Sequence, residues 1–153
     1  MNASATKWLL LVLSVLGLAD SWYLAESALT DTPLVCGIEN LDGCNIVAQS
    51  AYSHLFGIPL GVYGLLFYGL VIVVTLAALT RMPSLVRTTL FVLGIAGLVA
   101  SAIFVGIQLL LIKAICVYCL GSALLCLGIF VLTYKLWREK GDLPSLPAEA
   151  VVS

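Results

Sequence analysis

Residues 114–134 read AICVYCLGSALLCLGIFVLTY, a run of 21 positions without a charged side chain that begins just after Lys113. A membrane-spanning helix needs about 20 apolar residues, so this stretch is long enough to cross a bilayer. It also carries Cys116-Val117-Tyr118-Cys119 near its start. Two cysteines three apart on a helix share one face and reach each other. At a helix start they lie in the positive end of the macrodipole, which favours thiolate over thiol, and Lys113 acts in the same direction. A thiol pair in that setting is suited to redox chemistry.

Three further stretches match it. Trp8 to about Ala25 follows a short polar start carrying Lys7. Gly57–Leu79 has no charge over 23 positions, and Thr88–Ile112 none over 25. The expectation is an all-α integral membrane protein, a four-helix bundle with spans at about 8–25, 57–79, 88–112 and 114–134. A secretory signal peptide is the competing reading of the first stretch. Asp20 interrupts it and no clear A-x-A cleavage site follows, which favours a retained helix. Residues 1–140 then form one membrane domain, and 141–153 a short cytoplasmic tail.

Composition agrees. Of 153 residues, 62% are hydrophobic and 10% charged, against about 45–50% and 25% in soluble domains. A formal net charge of -1 gives no field that would draw nucleic acid, and none is expected as a partner. Lys7, Arg81, Arg87, Lys135, Arg138 and Lys140 fall on one side of the four spans, and only Lys113 on the other. The basic side is cytoplasmic by the positive-inside rule. Both termini are therefore expected inside, in a multi-pass protein of the cell inner membrane.

The remaining soluble part is the extracytoplasmic loop from about Glu26 to Phe56. Thr30-Asp31-Thr32-Pro33 and Asn40-Leu41-Asp42-Gly43 are turn signals. Cys36 and Cys44 lie in this loop with seven residues between them. Asn45–Leu55 reads as a short helix on the membrane surface. Gly57-Ile58-Pro59 starts the second span, with proline in its first turn. A zinc ribbon would want two C-x2-C pairs, and one pair has that spacing, so no metal is expected. Two cysteine pairs on the oxidising side, one in a loop and one at a helix start, fit disulfide exchange. A static loop staple beside a buried thiol pair is the alternative.

The layout is similar to that of the vitamin K epoxide reductase family in its bacterial form. The matching features are the loop cysteines, Ser50 six residues after the second, and Phe56-Gly57-Ile58-Pro59-Leu60-Gly61. Cys116-Val117-Tyr118-Cys119 and Asp20-Ser21-Trp22-Tyr23-Leu24 complete the match, over roughly Trp8 to Trp137. The resemblance implies a thiol:quinone oxidoreductase that reoxidises a periplasmic thioredoxin-like (DsbA-type) partner. The acceptor would be ubiquinone, menaquinone or a vitamin K-type naphthoquinone. By resemblance, Cys36 and Cys44 shuttle electrons, Cys116 takes them from Cys44, and Cys119 reacts with the quinone. Ser50 supports the pocket.

Two departures stand out. Ser53 occupies the place of an asparagine, and Ala123 that of a tyrosine, in the vertebrate enzymes. This favours plain quinone reduction over epoxide reduction. Many bacterial members carry a fused thioredoxin-like domain; here a separate partner protein is expected. Asp20, Phe56, Gln108 and Leu120 join Ser53 and Ala123 as pocket candidates, Phe56 and Leu120 from position alone. Gln108 either donates to a quinone carbonyl or bonds a neighbouring helix. Asp20 is either functional or merely near water at the span's end. His54 reads as a headgroup residue and Cys126 as a small core residue. A DsbB-type oxidase would place its C-x-x-C in the first loop, the reverse of this chain. A non-catalytic tetraspan scaffold with a stapled loop predicts unreactive cysteines and no bound quinone.

Overall fold

A computed structural model describes residues 3–35 and 43–138. Cys36, Lys140 and the tail at 141–153 lie outside the described residues. The elements are α1 (Ala3–Thr30), α2 (Gly43–Ala48), β1 (His54–Leu55), β2 (Ile58–Pro59), α3 (Leu60–Thr80), α4 (Ser84–Ile107), continued by a π-helical turn at Gln108–Ile112, and α5 (Val117–Arg138). Among the described residues, four helices are long and apolar enough to cross a membrane: α1, α3, α4 with its π turn, and α5.

The spans differ from the expected ranges at their ends. Hydropathy marks where side chains are apolar, but helical hydrogen bonding carries on into the polar flanks. So α1 reaches from Ala3 to Thr30. Its Lys7 Nζ snorkels back to donate to the carbonyl of Ala78 at 2.7 Å, tying the start of α1 to the end of α3. The last span starts later than expected. Lys113 has φ 56°, and residues 113–116 leave the helix before Val117 begins α5. Cys116 therefore precedes α5, and its carbonyl accepts from the N–H of Leu120 at 3.0 Å.

Helix α1 packs chiefly on α3 and also on α5, while α4 packs on α5 and on α3. Small residues set these approaches, because membrane helices associate by close packing. Gly61 lies against the backbone of Ala25, and Gly94 against Thr133 and the backbone of Phe130. Leu10, Tyr68, Val71, Cys126, Ile129, Leu132 and Leu136 form the buried centre. Apolar side chains such as Leu66, Val73 and Leu124 face outward, as a lipid-facing surface requires.

The surface helix is shorter than its expected range of Asn45–Leu55. After Ala48, the Ser50 hydroxyl donates to the carbonyl of Val47 at 2.7 Å, and the Ser53 hydroxyl to that of Ser50 at 2.8 Å. Such local bonds compete with helix continuation. A hairpin follows, pairing His54 with Pro59 and Leu55 with Ile58. Phe56 and Gly57 at its tip both have positive φ, 54° and 79°, as a two-residue hairpin turn of the I′ kind requires. Gly57 thus belongs to this turn. Pro59 sits at φ -57°, ψ 140°, just before α3 begins at Leu60.

Candidate functional site: thiols between a loop and an apolar cavity

Among the described residues, three hydrogen-bonding groups hold the loop onto the bundle. Asn45 accepts from the N–H of Leu34 at 2.8 Å and donates to its carbonyl at 3.3 Å. The Tyr23 hydroxyl accepts from the N–H of Val35 at 3.0 Å, and the Tyr118 hydroxyl donates to the Val35 carbonyl at 2.7 Å. The two tyrosine rings lie 5.1 Å apart. The segment leading to Cys36 is therefore clamped by α1, α2 and α5. Sequence reasoning assigned no role to Asn45 or to either hydroxyl. Tyr118 was visible inside the C-x-x-C motif, but its partner is 83 residues away.

This clamp brings Cys44 to Cys116. Both are fully buried and form one cluster with Leu34, with Tyr118 and Cys119 packed around it. Gly43 makes the approach possible: a Cβ there would collide with the backbone carbonyl of Ile115. Cys44 is disulfide-bonded, whereas Cys116, Cys119 and Cys126 are free thiols. Cys44, Cys116 and Cys119 line a small cleft of about 70 Å³.

The Cys116 thiol is pulled down to about 7, chiefly by its hydrogen bond to the Cys119 thiol and also by the N–H groups of Cys119 and Tyr118; burial pushes the other way. The start of α5 thus supplies donors to a thiolate. Lys113 is not among the groups responsible. Gln108 secures the same place. The π turn directs its side chain inward, and its Oε1 accepts from the N–H of Cys116 at 3.1 Å. It also hydrogen-bonds the Cys119 thiol.

Beyond Cys119 opens an apolar cavity of about 370 Å³ between α1, α3, α4 and α5. Small-molecule sites occupy about 300–1,000 Å³ and combine apolar walls with a few polar groups. Here the walls include Leu60, Phe67 and Phe104, and the polar groups include Ser21, Ser101 and Gln108. Ser50 and Ser53 line it from the loop, and Tyr68, Ser122 and Cys126 from the bundle centre. The other pocket candidates lie elsewhere. Phe56 is 93% exposed at the hairpin tip, turned outward by its backbone. Leu120 and Ala123 are half-buried on α5 away from the described cavity lining. Asp20 is half-buried, and its Oδ2 is buried with no hydrogen-bond partner among the described residues.

A four-helix membrane bundle that sets paired thiols against an apolar ligand cavity has the build of a membrane oxidoreductase. The model of the Vitamin K epoxide reductase family matches residues 8–134, and the chain belongs to that family. A comparison with curated proteins gave no match.

Proposed function

We propose that the protein is a thiol:quinone oxidoreductase that passes electrons from a thioredoxin-like partner, through Cys36 and Cys44, to Cys116 and Cys119 and on to a quinone. The observation that carries this reading is the position of Cys119. It lines both the cleft that holds Cys44 and Cys116 and the larger apolar cavity. One thiol therefore touches both the donor side and the acceptor side.

The relay follows from thiolate exchange. The partner's dithiol reduces the loop disulfide and leaves as a disulfide. The Cys44 thiolate then attacks a Cys116–Cys119 disulfide at Cys116, and Cys119 departs as a thiolate. Cys36 attacks Cys44, closing the loop disulfide and freeing Cys116. The bonding state described above, with Cys44 oxidised and Cys116 and Cys119 reduced, is the one this step leaves. Cys116 and Cys119 next give up two electrons and close their disulfide. The quinone takes both electrons and two protons. The cavity's apolar walls suit a quinone ring and exclude water from the exchange.

The basic residues support an orientation with the thiols outside. Lys7, Arg81, Arg87, Lys135 and Arg138 lie at one end of the bundle, opposite the cysteine cluster, so in this proposal that end faces the cytoplasm and the thiols face the outer side of the inner membrane. The reading is tested with the full chain in lipid nanodiscs. Dithiothreitol-reduced protein, freed of reductant, should reduce a short-chain ubiquinone or menadione in a single turnover. Cys116 and Cys119 should become resistant to alkylation as it does. Absence of any quinone reduction leaves the stapled scaffold as the better account.

A further inference from the structure

Serine and threonine inside apolar helices usually return their proton to a carbonyl of the preceding turn. This chain does so repeatedly. Ser14 donates to Leu10 at 2.7 Å, Thr133 to Phe130 at 3.0 Å and Thr80 to Ala77 at 2.9 Å. Ser122 does not. Its hydroxyl has one partner among the described residues, the hydroxyl of Tyr68 at 2.8 Å. Tyr68 is almost fully buried at the bundle centre. Its oxygen lies also 3.1 Å from the Ser122 carbonyl and 3.3 Å from the Cys126 Sγ. All three residues line the apolar cavity with Cys119.

The protons of this cluster can be arranged in two ways. In the first, Tyr68 donates to the Ser122 carbonyl, and the Ser122 hydroxyl donates to Tyr68. Both hydroxyl protons are then used internally. In the second, Tyr68 donates to the Ser122 Oγ, the Cys126 thiol donates to Tyr68, and the Ser122 proton is released toward the cavity. No heavy atom moves between the two. Each donor in the second chain polarises the next. Ser122 is three residues after Cys119, so the two side chains share a face of α5 and lie about 4.5 Å apart along its axis.

We infer that the Ser122 hydroxyl, aimed by Tyr68, is the hydrogen-bond donor for one carbonyl oxygen of the quinone that Cys119 reduces. The inference rests on the proposed quinone reading and assigns the acceptor's polar contact within it. Two-electron reduction places negative charge on the quinone oxygens before protons arrive. A fixed donor in a dry cavity stabilises such charge far more than it would in water. Ser122 is then a catalytic residue, Tyr68 a positioning residue, and Cys126 a supplementary donor behind it.

The test uses full-length protein in nanodiscs with menadione. Two quantities are read on each preparation. One is the carbonyl stretching band of menadione bound to the oxidised protein, by difference infrared spectroscopy. The other is the single-turnover rate of its reduction by the reduced protein. Loop-to-Cys116 thiol exchange, followed by alkylation, serves as the control for folding. Ser122→Ala should shift the carbonyl band up toward its unbonded frequency. It should also slow reduction by at least about tenfold, as loss of one oxyanion donor does, with exchange unchanged. Ser122→Thr, which keeps the hydroxyl, should restore both. Tyr68→Phe should broaden the band and slow reduction to an intermediate rate. Cys126→Ala, which removes the donor behind Tyr68, should slow reduction by less than Ser122→Ala does. An unshifted band and unchanged rate in Ser122→Ala overturn the inference. So does a loss of thiol exchange equal to the loss of quinone reduction. If the parent protein neither binds nor reduces menadione or a short-chain ubiquinone, the quinone reading itself fails, which is a different result.

Discussion

The side-chain oxygen of Gln108 accepts a hydrogen bond from the backbone N–H of Cys116 at 3.1 Å, across the end of α4. Both residues are buried, at 4% and 1% exposure, so no water stands ready to replace that acceptor. The π turn makes the contact possible, by rotating Gln108 inward just before the chain reverses at Lys113. Such turns recur at functional sites. The glutamine thus fixes the backbone from which the first thiol of the pair projects, and its other side-chain contact is the second thiol.

Gln108→Leu should therefore leave the Cys116 N–H buried and unsatisfied. The expected loss is about 1–3 kcal/mol of stability, read as a lower unfolding midpoint for the protein in detergent micelles. A midpoint equal to that of the parent would show that the turn holds Cys116 without the glutamine.

The ionisation of Cys116 gives a pH dependence of definite sign. Its thiol is lowered to about 7, chiefly by the Cys119 thiol. A lowered value means more thiolate at neutral pH, so attack by reduced Cys116 on the loop disulfide, the reverse of the relay step, should be fast above about 7 and slow as pH drops below it. The thiolate absorbance of the reduced protein should titrate in that range. In Cys119→Ala the largest stabilising contact is gone, and the titration should move up. A titration unmoved by that substitution would assign the effect to the helix start alone.

Gly43 should be intolerant of any side chain. A Cβ there meets the backbone carbonyl of Ile115, so one of the two backbones must shift. Gly43→Ala should push α2 outward and carry Cys44 away from Cys116. Small displacements of reacting groups are costly, so loop-to-Cys116 exchange should slow by about tenfold or more. Reduction of menadione by chemically reduced Cys116 and Cys119 should persist. Equal loss of both activities would mean that the substitution damages the whole bundle.

Much of this arrangement was legible in the sequence, for identifiable reasons. The four spans show as long charge-free runs, because lipid admits few charges. The thiol pair at 116 and 119 shows because its spacing matches a helix. What escaped were the polar contacts made between distant segments. Ser122 gives no signal in the sequence until Tyr68, 54 positions away, is seen against it. Asn45 shows in the sequence only as the start of a short surface helix, until it meets both polar groups of Leu34. Phe56 was placed in the pocket from its position before the second span. The hairpin turn at Phe56-Gly57 reverses the chain there and leaves the ring outside. Leu120 follows Cys119 directly, so it points roughly 100° further around α5 and misses the cavity that Cys119 faces. Cys116 was expected inside the last helix; the left-handed Lys113 delays that helix and leaves Cys116 at its edge.

The most direct test of the relay is to remove the thiol that resolves it. In Cys119→Ala, the Cys116 thiolate can attack the loop disulfide at Cys44, and with the Cys119 thiol gone the product can only revert through Cys36. Full-length protein is digested without reductant, and the linked peptides are identified by mass spectrometry. The account predicts a Cys44–Cys116 disulfide as the main linked species, with Cys36 recovered as a free thiol or bonded to the partner. A partner protein bonded directly to Cys116, with no Cys44–Cys116 link, would contradict it.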